Sequence, residues 1–207
     1  MAAAPLPVAV LRTGVANLAS VLAGLRRAGA APFVTVDPAD VERAPAVVLP
    51  GVGAFGAGMR ALTEHGLVEP LRARAAAGRP LLSVCLGLQL LGAESAETPG
   101  VAGLGIVEAK ASRFSGKVKV PQLGWNRVTP TPGMRLLRPG FAYFANSYRL
   151  DRPPAGWLAA SADHGGVFVA AMEKGALLAC QFHPELSGPW GNELLVRWLA
   201  RAAEETT

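Results

Sequence analysis

Through residue 85 the chain alternates short apolar runs with stretches of helical periodicity, a pattern that only one broad class of fold accommodates. Pro7 to Leu11 is apolar, and Leu18, Val21, Leu22 and Leu25 then recur at helical spacing as far as Gly29. Phe33 to Val36 and Ala46 to Leu49 read as further strands, the latter ended by Pro50-Gly51-Val52-Gly53. Met59 to Ala77 holds one or two short helices, broken near Gly66, and Gly78 leads into the apolar run Pro80 to Val84. Strand–helix alternation of this kind implies parallel strands with helices on both faces. Ligands then bind in the loops beyond the strands' carboxyl ends.

From about residue 105 the texture changes. Short β-like pieces at Lys117 to Val120, Phe141 to Phe144, Val167 to Ala171 and Leu177 to Phe182 are separated by Gly and Pro, suggesting antiparallel additions to the sheet. A final helix is expected over Trp190 to Ala203, with Leu194, Leu195, Trp198 and Leu199 as its apolar stripe. The expectation is a three-layer α/β fold: a mixed, mostly parallel sheet flanked by helices. At 207 residues, 51% hydrophobic, the chain is read as one domain spanning residues 1–207.

Composition removes several function classes. The 20 Lys and Arg against 15 Asp and Glu are scattered, which argues against a nucleic-acid surface. The first ten residues lack a secretory n-region, and no apolar stretch approaches the roughly 20 residues that span a membrane, so a soluble cytoplasmic protein is expected. Two cysteines make no disulfide framework and no metal cluster; neither a metal nor another cofactor is expected.

Cys85 directly follows an apolar strand and precedes Leu86-Gly87-Leu88-Gln89-Leu90-Leu91, a plausible helix start. A thiol there sits at a sharp strand-to-helix turn, as in a nucleophile elbow. The free N–H groups of a helix start favour a thiolate and can also stabilise an oxyanion. Alone, a cysteine beside an apolar strand is usually a small buried hydrophobe. Its company decides otherwise.

That company is Gln181-Phe182-His183-Pro184-Glu185, at the end of another apolar run and hence at the same sheet edge. Pro184 biases His183 towards extended backbone, and period-two alternation would place His183 and Glu185 on one side. A cysteine activated by a histidine that a carboxylate orients is the arrangement for acyl transfer. His65 and His164 stand without such partners and are read as non-catalytic; Cys180 is read as core. Gly51, Val52 and Gly53, with the N–H of Leu86, form a candidate oxyanion hole, although Pro-Gly after a strand is more often an ordinary turn.

Together these segments resemble the triad class of glutamine amidotransferases, whose fold is flavodoxin-like. Gly14 to Val21, Pro50 to Phe55, Gly103-Leu104-Gly105, Pro121 to Asn126 and Asn146-Ser147-Tyr148 make the chain similar to the glutaminase subunits of imidazole glycerol phosphate synthase. The likeness covers nearly the whole chain, and Gly124-Trp125-Asn126 discriminates best among subfamilies. It implies a glutamyl thioester on Cys85, His183 as general base and acid, Glu185 as its orienter, and Val52 as a switchable oxyanion peptide. Gln89, Glu97, Ser147 and Tyr148 would contact L-glutamine, with Glu97 suited to the substrate ammonium. A cyclase subunit would be the partner, receiving ammonia to form imidazole glycerol phosphate in histidine biosynthesis.

Some positions depart from the pattern. Arg12-Thr13 stands where Asp-Tyr is common, Ala16 replaces a glycine, Ser83 replaces a glycine two residues before the nucleophile, and Asn146 replaces a histidine. Two other readings remain: a glutaminase of vitamin B6, purine or anthranilate synthesis, against which Gly-Trp-Asn argues, and a non-catalytic regulatory relative, against which the presence of Cys85 and His183 argues.

Overall fold

The computed structural model of the protein describes residues 4–14 and 17–205. Twelve strands are present among them: β1 (Pro7–Leu11), β2 (Ala31–Thr35), β3 (Ala46–Gly51), β4 (Leu81–Cys85), β5 (Glu94–Ser95), β6 (Lys110–Arg113), β7 (Gln122–Pro130), β8 (Gly140–Asn146), β9 (Tyr148–Leu150), β10 (Leu158–Asp163), β11 (Val167–Lys174) and β12 (Leu177–Cys180). Six helices accompany them: α1 (Leu18–Arg27), α2 (Pro38–Arg43), α3 (Phe55–Glu64), α4 (Val68–Ala76), α5 (Leu86–Leu90) and α6 (Gly188–Glu204).

Nine strands form one sheet in the order β2-β1-β3-β4-β12-β11-β10-β7-β8. The first five are mutually parallel, and the rest pair antiparallel. Alternation along the buried strands serves two cores. Val8 and Val10 face a layer that includes Leu25 of α1 with Leu194 and Trp198 of α6. Ala9 and Leu11 face Val41, Leu62, Leu71 and Leu88 from the helices of the opposite layer. Burial on both faces explains why these strands read as continuous apolar runs.

The antiparallel additions are present, with two corrections. Lys117 to Val120 lies in no strand; it runs as a loop into β7. The second correction concerns β12: although it lies in the C-terminal half, it inserts parallel beside β4, pairing Cys180 with Val84. This insertion carries the end of β12 to the edge where β4 ends.

A second sheet, β5-β6-β9, was not expected from the sequence. Its strands are two to four residues long, too short for a periodicity to declare itself. It holds the segment after β5 against β6, with Ala96 N–H donating to Ala111 O at 2.8 Å, and ties the end of β6 to the start of β9, with Phe114 N–H donating to Ser147 O at 3.0 Å.

Candidate active site

Strands β3, β4 and β12 deliver their carboxyl ends to one place. Cys85 ends β4 with φ 55° and ψ −108°, the one non-glycine residue with positive φ among those described. Such a conformation costs about 1–3 kcal/mol and persists only where packing enforces it. Here the enforcement comes from close backbone approach. A Cβ on Gly87 would lie 2.1 Å from the Leu49 carbonyl oxygen, and one on Gly51 would lie 2.9 Å from Leu86 Cβ. Glycine at both positions lets α5 start directly against the end of β3, which turns Cys85 into a tight elbow. Ser83 fits wholly buried below it, its hydroxyl without a hydrogen-bond partner among the described residues.

His183 and Glu185 are brought together as expected, but by a different route. His183 is extended, at φ −99° and ψ 97°, whereas Pro184–Leu186 forms a single 3₁₀ turn rather than continuing a strand. Proline at the first position of a helical turn is well tolerated, because its missing N–H has no partner there anyway. The turn brings Glu185 Oε1 within 2.8 Å of His183 Nδ1. The His183 backbone is itself fastened: its N–H donates to Tyr143 O at 2.9 Å, and Ser187 Oγ donates to its carbonyl at 2.6 Å.

His183 and Glu185 are both more than nine-tenths buried. Burial by itself pulls the imidazole pKa down, but hydrogen bonds to Cys85 and Glu185, reinforced by their charges, outweigh it and raise the pKa from 6.5 to about 10. The imidazolium is thus held between the Cys85 sulfur and the Glu185 carboxylate. On its other sides the Cys85 sulfur lies 3.7 Å from Gln181 Nε2 and 3.9 Å from Ala145 O.

In front of Cys85 opens a cleft of about 460 Å³, bounded by Val52, Gly53, Leu86, Gln89, Glu97, Ser147 and Tyr148 among others. The residues expected to form the oxyanion region and to contact glutamine therefore share one cavity with Cys85. The exception among them is Gly51, which lies buried behind it as the register partner of Cys85. Glu97 reaches the cleft from the loop after β5, and one of its carboxylate oxygens accepts the Phe55 N–H at 2.7 Å, capping α3. A larger cleft of about 610 Å³ lies at the opposite sheet edge, around Trp157 and Lys174, and contains neither Cys85 nor His183.

Several supporting residues carried no signal of their own. Gln181 stands beside Cys85, and Ser187 links the His183 turn to β8 through the Tyr143 N–H at 3.0 Å. Thr13, noted only as a departure, donates its buried hydroxyl to Pro50 O at 2.9 Å and so pins the glycine loop. Asn146 donates to Tyr148 O at 3.0 Å. The departure at Ala16 lies outside the described residues. His164 has partners after all, Lys119 O at 2.8 Å and the edge of Phe114, but these are structural.

Comparison with known proteins decides the family. Residues 19–202 match the class-I glutamine amidotransferases. The chain belongs to that family. Among curated relatives, the imidazole glycerol phosphate synthase subunit HisH of Symbiobacterium thermophilum is 41% identical over 92% of each chain. That of Bacillus subtilis is 38% identical over 96% of this chain and 98% of its own. Among solved structures, a glutamine amidotransferase superposes with a TM-score of 0.76 at 23% identity, covering 95% of this chain and 98% of the other. PurLQS from Thermotoga maritima gives 0.68 at 14%, covering 98% and 100%. At those identities the structures bear out the fold, a class-I amidotransferase architecture with a large, mostly parallel sheet between helices.

Proposed function

We propose that this chain is the glutaminase subunit of an imidazole glycerol phosphate synthase, a single amidotransferase domain that hydrolyses L-glutamine and passes ammonia to a cyclase subunit for histidine biosynthesis. The observation that carries the reading is that Cys85, which lines a cleft of about 460 Å³, hydrogen-bonds the His183 imidazole, whose Nδ1 is in turn paired with Glu185. The extent and identity of the relatives supply the pathway.

The chemistry follows from the geometry. The Cys85 sulfur attacks the side-chain carboxamide carbon, and the N–H of Leu86 with the Val52–Gly53 peptide receives the oxyanion. His183, held charged by Glu185, gives its proton to the departing nitrogen, so ammonia leaves and a glutamyl thioester remains. Neutral His183 then takes a proton from water as that water attacks the thioester. Collapse expels the thiolate and releases glutamate, which returns the imidazole to its charged state. Gln89, Glu97, Ser147 and Tyr148 hold the substrate, with the Glu97 carboxylate facing its ammonium group.

Among the described residues no helix is long and apolar enough to cross a membrane. Together with a biosynthetic role, this supports a cytoplasmic setting.

The test is glutamate release from glutamine by the purified chain, alone and with a cyclase subunit carrying its nucleotide ligand. Low activity alone, strong stimulation by the loaded partner and its loss in Cys85→Ala are expected, because the two-subunit reading has the Val52–Gly53 peptide set for catalysis by docking of the partner. High activity without any partner contradicts the two-subunit reading. Turnover retained in Cys85→Ala contradicts the choice of nucleophile.

A further inference from the structure

The fully buried amide of Gln181 is wired into the site at both ends. Its Nε2 lies 3.7 Å from the Cys85 sulfur, and its Oε1 lies 3.1 Å from Gln89 Nε2. The same Gln89 nitrogen lies 3.0 Å from the Tyr148 backbone carbonyl. A carbonyl oxygen can only accept, so Gln89 must present its NH₂ there. With that NH₂ also facing Gln181, the group Gln181 turns towards it must be the amide oxygen. Its own NH₂ is therefore left facing sulfur. Turning the Gln181 amide over would set two NH₂ groups against each other in a buried site and put an oxygen against the sulfur, both unfavourable.

We propose that Gln181 is a positioning residue for the glutaminase reaction: its amide donates to the Cys85 sulfur, in a polarity fixed through Gln89 by the Tyr148 carbonyl. The inference rests on the reading of Cys85 as nucleophile. A donor aimed at sulfur favours its anion over the neutral thiol, supplementing the imidazolium of His183. It also holds the sulfur at a fixed angle, since the alternative partner, Ala145 O, can engage only the protonated thiol. Because Gln89 borders the substrate cleft, the relay joins the floor of the glutamine site to the attacking atom.

The test is the rate of Cys85 alkylation by iodoacetamide across pH, with Cys85→Ala as the blank, beside kcat and KM in the complex with the cyclase subunit. Gln181→Met keeps the bulk and removes the donor. Expected is alkylation about tenfold slower at neutral pH, from the loss of one hydrogen bond to a charged group, with half-maximal alkylation displaced to higher pH. The loss of turnover falls on kcat, with KM little changed. Gln181→Glu, which presents oxygens to the sulfur, slows alkylation further. Should Gln181→Met not fold, Gln89→Met reads the same relay from its far end by freeing the Gln181 amide to turn, and alkylation again slows. Alkylation within twofold of the parent chain, and at the same pH, in whichever of these folds overturns the inference while leaving Cys85 as nucleophile. Turnover that survives Cys85→Ala instead overturns the reading on which it rests.

Discussion

At the scale of the residue, His183 carries the strongest electrostatic consequence. Its pKa is raised from 6.5 to about 10 in the folded protein, because Cys85 and Glu185 outweigh the penalty of burial. The imidazolium's partners therefore stabilise the fold in full below pH 6.5, and that contribution is lost as pH rises through about 10. The melting temperature is expected to fall between these limits more steeply than in His183→Ala, as measured by thermal unfolding across pH; parallel slopes would contradict the assignment. The sequence made Cys85, His183 and Glu185 legible because each follows or closes an apolar run. It also misattributed how His183 and Glu185 meet: strand alternation was expected, and a 3₁₀ turn begun by Pro184 does it. Gln181 stayed hidden because a glutamine at the end of an apolar run has no pattern of its own; only the partners of its amide reveal the relay.

At the scale of the element, the elbow depends on how closely α5 approaches β3. The 2.1 Å separation that a Gly87 Cβ would have from Leu49 O cannot be relieved by moving a flexible side chain, since the obstacle is backbone. Gly87→Ala is expected to destabilise the protein by about 3 kcal/mol and to abolish glutaminase activity by displacing Cys85. Urea unfolding measures the first effect and glutamate release the second; an unchanged midpoint would mean the approach is looser than described. The strands on which the elbow stands were legible, because two-sided burial leaves continuous apolar runs. The β5-β6-β9 sheet was not, and Lys117 to Val120 looked strand-like through its alternating Lys and Val while lying in a loop. Strand patterns this short do not separate paired from unpaired backbone.

At the scale of the whole molecule, the alternation of strand and helix forecast a sheet with its site at the carboxyl ends, and the fold agrees. What the pattern could not state was strand order. The insertion of β12 between β4 and β11 is a long-range pairing, invisible to local periodicity, and it sets His183 beside Cys85 although 97 residues separate them in sequence. The Cys85 sulfur is proposed to attack a glutamine side chain bound in this cleft. Mapping the residue labelled by a diazoketone analogue of glutamine, by mass spectrometry of the digested complex with the cyclase subunit, tests it most directly. Label is expected on the peptide bearing Cys85, none on that bearing Cys180, with protection by excess glutamine. Label on Cys180, or labelling of Cys85 that glutamine does not slow, would contradict it.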